Sequence, residues 1–350
     1  MSKAIRIIFC WSDISGYMAA CWKALSAQPQ VELRIFAFGN NQETDFNFKL
    51  TEGLDIHWVD RDPDSKELQS QVSEFKPDVI ILCGWFVPAY RQIATVPTLQ
   101  NKVKFILAMD TPWWGTWRQQ IGRIALKSFI RKMDAVITSG ERSYQYASRL
   151  GAKNIAKIQY GVDVSSLQQH LEIRKRNPWP NRFLFVGRYA EEKGIRLLMA
   201  AYQTYRENTD APWELITCGK GPLEFLITGE GVINLGFVQP NEMDKVWQQA
   251  GCLVLPSSFD PWPLIVVEAC AAGLPVICTH ESGSQVEVVK MFWNGLVIPA
   301  NSQESLVEAL LYMDNHIEEL STWGDRSFEQ ARPYSSKIWA DKIIQLIESF

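Results

Sequence analysis

The stretch NRFLFVGRYAEEKGIRLLMAAYQTYREN, residues 181–208, decides the fold class of this chain. An apolar run at 183–186 leads into a glycine and a charged loop, and a helical pattern begins at Gly194. A short continuous apolar run predicts a strand buried on both faces. A strand, a loop and a helix in direct succession are typical of a parallel α/β unit.

The same alternation extends along the whole sequence. Strands are predicted at 5–10, 31–38, 55–58, 79–82, 103–108, 135–138, 155–159, 183–186, 214–218, 232–235, 252–255, 275–278 and 295–298. Helices are predicted at 16–27, 63–75, 117–132, 141–150, 194–208, 241–250, 264–272, 284–290 and 303–312. The pattern predicts an α/β protein with two doubly wound, Rossmann-like sheets.

The break between the two sets of strands falls between Gly161 and Asn181, where two prolines in NPWP interrupt both periodicities. We predict an N-terminal domain at 1–165, joined by a C-terminal helix at 334–350 that packs back on it, and a C-terminal domain at 180–333. Open α/β sheets bind ligands at the carboxyl ends of their strands, so we expect the domains to face a central cleft.

Composition narrows the functional classes. The chain has 350 residues, 47% hydrophobic, with a net charge of -4, which fits a soluble protein of two domains without nucleic acid as a partner. Lys3 and Arg6 interrupt the first apolar run, so no signal peptide is expected, and no run is long enough to span a membrane. The seven cysteines lack metal-ligand spacing and predict buried free thiols. We therefore expect a cytoplasmic protein.

Two cations mark the loop that follows the strand at 183–186. Arg188 offers a fork of donors and Lys193 a point charge, and both precede a helix. This arrangement suits an anion such as a diphosphate. Pairing with Glu191 and Glu192 on a solvated turn explains the same residues equally well.

Two carboxylates follow further along. Asp260 lies in a proline-rich loop and Glu268 in an apolar helical segment. A buried glutamate is costly unless it accepts hydrogen bonds, and the vicinal hydroxyls of a ribose would supply them. Capping or a salt bridge is the alternative role for Glu268, and its almost wholly apolar neighbours in the sequence disfavour it. Gly283 and Ser284 then open a helix and can offer backbone amides to a phosphate, although an ordinary turn also explains them.

These elements occur in an order that resembles the retaining family-four glycosyltransferases, the glycosyl transferases group 1, which have the GT-B fold. The carrying motifs are GRYAEEKG at 187–194, CGKGP at 218–222, GFV at 236–238, the two carboxylates and ACAAGLPV at 269–276. The resemblance covers residues 181–289. It implies a nucleoside-diphosphate sugar as donor substrate, with no cofactor and no metal.

The resemblance also implies roles for residues. Catalytic roles fall to Asp110, Arg188, Lys193 and Asp260. Donor contacts fall to Gly16, Gly187, Arg188, Lys193, Gly219, Pro261, Trp262, Glu268, Gly283 and Ser284. The sequence departs from the family where Asp260 replaces the usual glutamate, and where Asp110 follows a strand that often leads to histidine.

A cluster of tryptophans precedes a basic stretch. Trp113, Trp114 and Trp117 are followed by five cations without an acid up to Lys132. Aromatic rings stack on sugars, and basic helices with interfacial tryptophans lie on anionic lipid. We expect this region to receive the acceptor, and segment 113–132 to allow peripheral contact at the inner membrane face. A core-packed tryptophan cluster beside a solvated helix is the alternative.

The sequence thus predicts a retaining glycosyltransferase that moves a sugar to a hydroxyl of a glycan, lipid-linked or small-molecule acceptor in surface-glycan or glycoconjugate biosynthesis. A non-catalytic nucleotide-sugar-binding homologue and a GT-B nucleotide-sugar epimerase are the alternatives. The acidic spacing at Asp60, Asp62 and Asp64 resembles a metal motif, but helix capping is its expected role.

Overall fold

The computed structural model describes residues 4–39, 48–100 and 102–350. The chain forms two units by internal contacts. The first extends to Gly161 and also takes in Ser336–Phe350, and the second is Val162–Ser335. Each unit contains one sheet in which every pair of neighbouring strands is parallel.

The described residues of the first unit form seven strands. They are β1 (Ile5–Cys10), β2 (Val31–Phe38), β3 (Ile56–Val59), β4 (Val79–Cys83), β5 (Lys104–Met109), β6 (Ala135–Thr138) and β7 (Ile155–Lys157). Its helices are α1 (Gly16–Ser26), α2 (Ser65–Phe75), α3 (Pro88–Ile93), α4 (Pro97–Gln100), α5 (Trp117–Ala125), α6 (Lys127–Ile130), α7 (Glu141–Leu150) and the terminal α15 (Ser336–Glu348). The strand order is β3-β2-β1-β4-β5-β6-β7.

The second unit has six strands. They are β8 (Arg182–Val186), β9 (Glu214–Cys218), β10 (Val232–Asn234), β11 (Cys252–Leu255), β12 (Val276–Thr279) and β13 (Gly295–Ile298). Its helices are α8 (Val164–Lys175), α9 (Ile195–Glu207), α10 (Asp244–Gln249), α11 (Leu264–Ala271), α12 (Gln285–Val288), α13 (Gln303–Asn315) and α14 (Leu320–Ala331). The strand order is β10-β9-β8-β11-β12-β13.

The predicted fold class is confirmed, because the central strands are buried on both faces. All five residues of β4, VIILC, and all four of β6, AVIT, are buried. Such strands are continuous apolar runs because helices cover both faces of the sheet. In each sheet the strand order reverses once, between β1 and β4 and between β8 and β11. Loops that leave the carboxyl ends at such a reversal form the usual ligand site.

The terminal helix packs on the first unit as predicted. The Trp339 ring in α15 lies 6.0 Å from the ring of Phe9 in β1. The amide of Gln28 donates to Asp341 at 3.2 Å. Because this helix belongs to the first unit, the chain returns to that unit after completing the second.

Four helices were not predicted: the short α3 and α4 of the first unit, and α8 and α14 of the second. Helix α8 occupies the segment that was expected to be a linker, and it belongs to the second unit. Its buried positions are His170, Leu171 and Arg174, so two of the three are polar and the apolar period is hidden. Helix α14 likewise buries Gly324 and Ser327 beside its apolar residues. Tertiary packing therefore sets these helices where apolar periodicity does not.

Two smaller expectations agree with the structure. The Asp64 carboxylate accepts hydrogen bonds from the backbone amides of Lys66 and Glu67 at 2.8 and 2.9 Å. This is the capping role expected at the start of α2, and these bonds lower the pKa of Asp64. All seven cysteines are buried free thiols.

Candidate functional site

In the second unit, the loops after β8 and β11 meet at the point of strand reversal. The amide of Ser258 donates to the carbonyl oxygen of Glu192 at 2.9 Å. The Lys193 ammonium donates to the Asp260 carboxylate at 2.5 Å. A Cβ at Gly194 would come within 2.1 Å of the Pro256 carbonyl oxygen, so only glycine allows this approach. The structure thus brings together three predicted features: the cationic loop, its terminal glycine and the first carboxylate.

Both cations of this loop have carboxylate partners in the structure. Arg188 donates to Glu192 within its own loop, whereas Lys193 reaches across to Asp260. Asp260 is only 8% exposed, and burial raises its pKa although Lys193 partly opposes that shift. The Arg188 side chain is 57% exposed. An arriving anion can therefore exchange with the Glu192 carboxylate at Arg188 without opening the core.

Glycines allow the loops after β8 and β9 to lie against each other. A Cβ at Gly219 would stand 1.9 Å from the carbonyl oxygen of Gly187. The amide of Gly187 donates to the carbonyl oxygen of Cys218 at 3.0 Å. Both glycines were predicted as donor contacts, and the structure shows that close backbone packing already requires Gly219.

Glu268 is the half-buried carboxylate of α11. Within that helix only Ile265 and Glu268 keep partial exposure, and their spacing of three residues places them on one face. No described residue donates a hydrogen bond to the Glu268 side chain. Burial alone raises its pKa to about 7. The alternative role, a side-chain salt bridge or cap, is absent from the described residues, so this carboxylate can accept hydrogen bonds from a ligand.

The segment at Gly283 differs from its predicted role in detail. Its amide donates to the carbonyl oxygen of Asp260 at 2.9 Å and is therefore engaged within the protein. A Cβ there would lie 1.8 Å from the Pro261 carbonyl oxygen, so the glycine serves close packing. The Ser284 hydroxyl donates to the carbonyl oxygen of Pro263 at 2.9 Å. These bonds bind the segment to the loop that carries Asp260.

Trp262 occupies the same loop and is buried. Its indole nitrogen has no hydrogen-bond partner among the described residues. An unpartnered buried indole N–H is unusual and marks a polar group inside this loop that a small movement could expose. The prediction of a donor contact at Pro261 and Trp262 stays a prediction.

The first unit has its own pocket at its strand reversal, with a volume of about 520 Å³. Its lining comes from the ends of β1, β4 and β5, from α1 and from the segment after β7. The lining residues are Trp11, Ser12, Asp13, Ile14, Ser15, Tyr17, Cys83, Gly84, Trp85, Phe86, Ala108, Met109, Asp110, Thr111 and Tyr160. Gly16 begins α1 between two of these residues.

Asp110, predicted for the reaction centre, lines this pocket. The pKa of the buried Tyr160 hydroxyl is raised well above its usual value, first by burial and then by the charge of Asp110. The pocket therefore combines the carboxylates of Asp13 and Asp110 with aromatic walls, which suits a polar group carried on an apolar or ring-shaped ligand.

The predicted acceptor tryptophans do not line this pocket. Trp113 packs against Tyr146, with ring centroids 5.3 Å apart, and its role toward an acceptor stays a prediction. Trp114 and Trp117 are 39% and 67% exposed. The aromatic lining comes instead from residues such as Trp11, Trp85 and Phe86, which sequence reasoning missed. A glycine and two aromatic residues directly after the predicted strand at 79–82 were the available signal.

The described part of the chain contains neither a cluster of metal-binding side chains nor a helix suited to span a membrane. No group of three or more His, Cys, Asp or Glu side chains is placed to hold a metal ion there. None of the helices within those same ranges combines the length and hydrophobicity of a bilayer-spanning segment.

The chain has two Rossmann-like units, and the strand order of each sheet reverses once. This architecture defines the fold class. Solved structures share this architecture over nearly the whole chain. HepE from Anabaena, solved in complex with UDP, superposes with a TM-score of 0.78 at 15% identity, covering 99% of this chain and 100% of that one. Sucrose-phosphate synthase from Thermosynechococcus elongatus gives 0.76 at 17% identity, covering 99% and 98%. The fold is GT-B.

The family model described as glycosyl transferases group 1 matches residues 169–328. The match lies almost entirely within the second unit, which is therefore similar to the group 1 glycosyltransferases.

Two similar curated proteins are described as glycosyltransferases. The putative teichuronic acid biosynthesis glycosyltransferase TuaC of Bacillus subtilis is 29% identical over 195 residues, which is 53% of this chain and 48% of that protein. An uncharacterised glycosyltransferase of Methanocaldococcus jannaschii is 31% identical over 153 residues, 41% and 37% of the two chains. The similarity thus spans less than half the length of these two relatives.

Proposed function

We propose that this protein transfers a sugar from a nucleoside-diphosphate sugar to an acceptor hydroxyl, with retention of the anomeric configuration. The observation that carries the proposal is Glu268, a half-buried carboxylate without a hydrogen-bond donor among the described residues, in the unit where Lys193 meets Asp260. A carboxylate kept in this state is destabilising, and two ribose hydroxyls would satisfy it.

The difficult step is the departure of the nucleoside diphosphate, which gains negative charge as the glycosidic bond breaks. Arg188 and Lys193 are the cations proposed to stabilise that charge. Each preorganised donor of this kind contributes about 3 kcal/mol, on the order of a hundredfold in rate. The Glu192 and Asp260 carboxylates hold both side chains in the loop before the ligand arrives.

Asp260 is proposed to accept hydroxyls of the transferred sugar. Its burial raises its pKa, so its ionised form depends on Lys193 nearby. The proton of the acceptor hydroxyl would pass to a phosphate oxygen of the leaving group on the same face. This route needs no metal ion, and Asp260 and Glu268 are proposed to meet sugar and ribose hydroxyls instead.

For the acceptor we propose the pocket of the first unit, with Asp110 beside the reacting hydroxyl. The aromatic side chains Trp11, Trp85 and Tyr160 provide ring faces on which a sugar can stack. HepE has been solved with UDP-glucose as well as with UDP, so uridine diphosphate sugars are the first donors to test. Surface-glycan or glycoconjugate biosynthesis is the proposed setting.

The test measures binding and turnover separately. Thermal stabilisation by a panel of nucleoside diphosphates and their sugars is compared between the wild type, Arg188→Ala and Glu268→Ala. Matched controls are Arg176→Ala and Glu308→Ala, which remove exposed residues of the same unit. One nucleotide family should stabilise the wild type and both controls, by about 3 kcal/mol at a hundredfold excess over Kd. The two site variants should lose that shift.

Turnover then separates the alternatives. Release of free nucleoside diphosphate that depends on an acceptor supports transfer. Conversion of one nucleotide sugar into another without an acceptor would show an epimerase, and binding without any conversion would show a non-catalytic homologue. A folded protein that responds to no nucleotide would overturn the donor site itself.

A further inference from the structure

Helix α5 and the short helix α6 after it carry an apolar surface that points away from the protein. Leu126, Ile130 and Met133 are buried and mark the inward side. Trp117, Ile121 and Ile124 are 67%, 58% and 80% exposed. At 100° per residue these three side chains fall within an arc of about 60°, opposite Leu126. We call Trp117, Ile121 and Ile124 the apolar ridge.

Cations flank this ridge on both sides. Leu126 keeps right-handed helical geometry between α5 and α6, so the angular positions carry over from one helix to the other. Arg123 and Lys127 fall on one flank and Arg118 on the other, and Lys132 follows the end of α6. All four are exposed, as is Arg131, and residues 113–132 contain no acidic residue. The surface is therefore an apolar ridge between two positive borders.

The arrangement of charges around the apolar ridge indicates which kind of partner binds there. A second copy packed through a twofold axis would set the same positive borders against each other, which is repulsive. A nucleic acid would pair with the cations but leave Trp117, Ile121 and Ile124 facing phosphate or water. An anionic bilayer satisfies both parts, because headgroup phosphates meet the cations while the ridge enters the boundary with the acyl chains.

We propose that the apolar ridge docks the first unit onto an anionic lipid surface, with the flanking cations on the headgroup phosphates. Trp113 packs on Tyr146, and Tyr146 packs on Trp85 of the pocket wall at 5.8 Å between centroids. Aromatic contacts thus connect the segment just before α5 to the pocket that contains Asp110. The proposal is independent of the transfer reaction and can fail while the proposed function stands.

The experiment is flotation of the full chain with vesicles. One set is phosphatidylcholine alone, and the other contains about a third phosphatidylglycerol at low ionic strength. The variants are Ile121→Ser with Ile124→Ser, and Arg123→Gln with Lys127→Gln. The controls are Phe225→Ser, an equally exposed apolar residue of the second unit, and Lys66→Gln with Lys245→Gln, two exposed lysines elsewhere.

Wild type and controls should float with the anionic vesicles only. The ridge variant should lower the partition coefficient at least about tenfold, because two inserted side chains are lost. The charge variant should lower it roughly 25-fold, because each cation contributes about fivefold, and salt should reduce wild-type binding similarly. Unchanged thermal melting of the variants shows that they are folded.

Three results would overturn the proposal. Absence of wild-type flotation excludes docking, and equal binding to neutral and anionic vesicles removes the role of the cations. Dimerisation in sedimentation that the ridge variant abolishes would assign the surface to a second copy instead.

Discussion

The two units share an architecture and differ in how their sites are built. Both have a parallel sheet whose strand order reverses once, and both have loops gathered at that reversal. In the second unit these loops are fastened by an ion pair and by glycines at backbone contact, as at Lys193–Asp260 and Gly219. In the first unit the loops leave a pocket of about 520 Å³ with aromatic walls and the carboxylate of Asp110.

The fastened loops of the second unit and the aromatic pocket of the first unit suit different kinds of ligand. A diphosphate needs fixed charges and close backbone approach, which restrict the residue types to arginine, lysine and glycine. A pocket that stacks a ring needs apolar area, which many combinations of aromatic residues supply. The second site should therefore tolerate substitution poorly, and the first should tolerate changes in its walls.

The largest expected effect is loss of turnover on Lys193→Ala. Removing the ammonium takes away the proposed diphosphate contact and leaves Asp260 buried without its partner, so turnover should fall on the order of a hundredfold to a thousandfold. Steady-state kinetics of donor consumption measures this. The double variant Lys193→Ala with Asp260→Asn should regain thermal stability without regaining turnover. Full activity of the single variant would show that the ion pair is structural only.

The next effect concerns the glycine contacts and is a loss of stability. Gly219→Ala would place a Cβ 1.9 Å from a backbone oxygen, so the loops must separate, at a cost of about 3 kcal/mol. Gly151→Ala in the first unit is the control, because that glycine has a φ of +82° but nothing within 4 Å of a Cβ. It should cost about 1 kcal/mol from the backbone alone. Chemical denaturation compares the two, and equal losses would contradict the role given to close packing.

Asp110→Asn should separate the two sites. We expect turnover to fall about tenfold to a hundredfold, because a carboxylate beside the acceptor is replaced by an amide. Stabilisation by the nucleotide should stay unchanged, since that site lies in the other unit. Calorimetric titration with the nucleotide is the measurement. A large loss of nucleotide affinity would show that the units do not divide donor and acceptor as proposed.

The smallest effect is a gain in stability on Glu268→Gln. Burial raises the pKa of this group from 4.5 to about 7, so between these values the folded state binds more proton than the unfolded state. Stability of the wild type should therefore fall as the pH rises through that window. At pH values above the window the variant should be more stable by about 1 kcal/mol, allowing for partial exposure.

Thermal melting across this pH range tests the expectation, with Glu308→Gln as the control that should follow the wild type. The same substitution should weaken nucleotide binding at high pH, where the ionised carboxylate of the wild type accepts ribose hydroxyls. A variant that is less stable at every pH would indicate a structural hydrogen bond to Glu268.

The sequence by itself determined the sheets. All thirteen strands were predicted within two residues of their observed ends, because parallel strands covered on both faces leave continuous apolar runs. The sequence also identified Arg188, Lys193, Asp260 and Glu268 as candidates, because charged residues next to apolar runs are recognisable without knowledge of the fold. Helices α8 and α14 were not predicted, because they bury polar or small side chains. Burial of such side chains can be recognised only when the residues that pack against them are known.

Tertiary structure alone decided which of these groups touch. Lys193 and Asp260 are 67 positions apart in the chain, and only the adjacency of β8 and β11 brings them to 2.5 Å. The same holds for the pocket of the first unit, whose walls come from strand ends separated along the chain. The periodicity of apolar residues indicates which positions are buried. Contact between distant loops depends instead on the order of the strands in the sheet, and local sequence patterns do not specify that order.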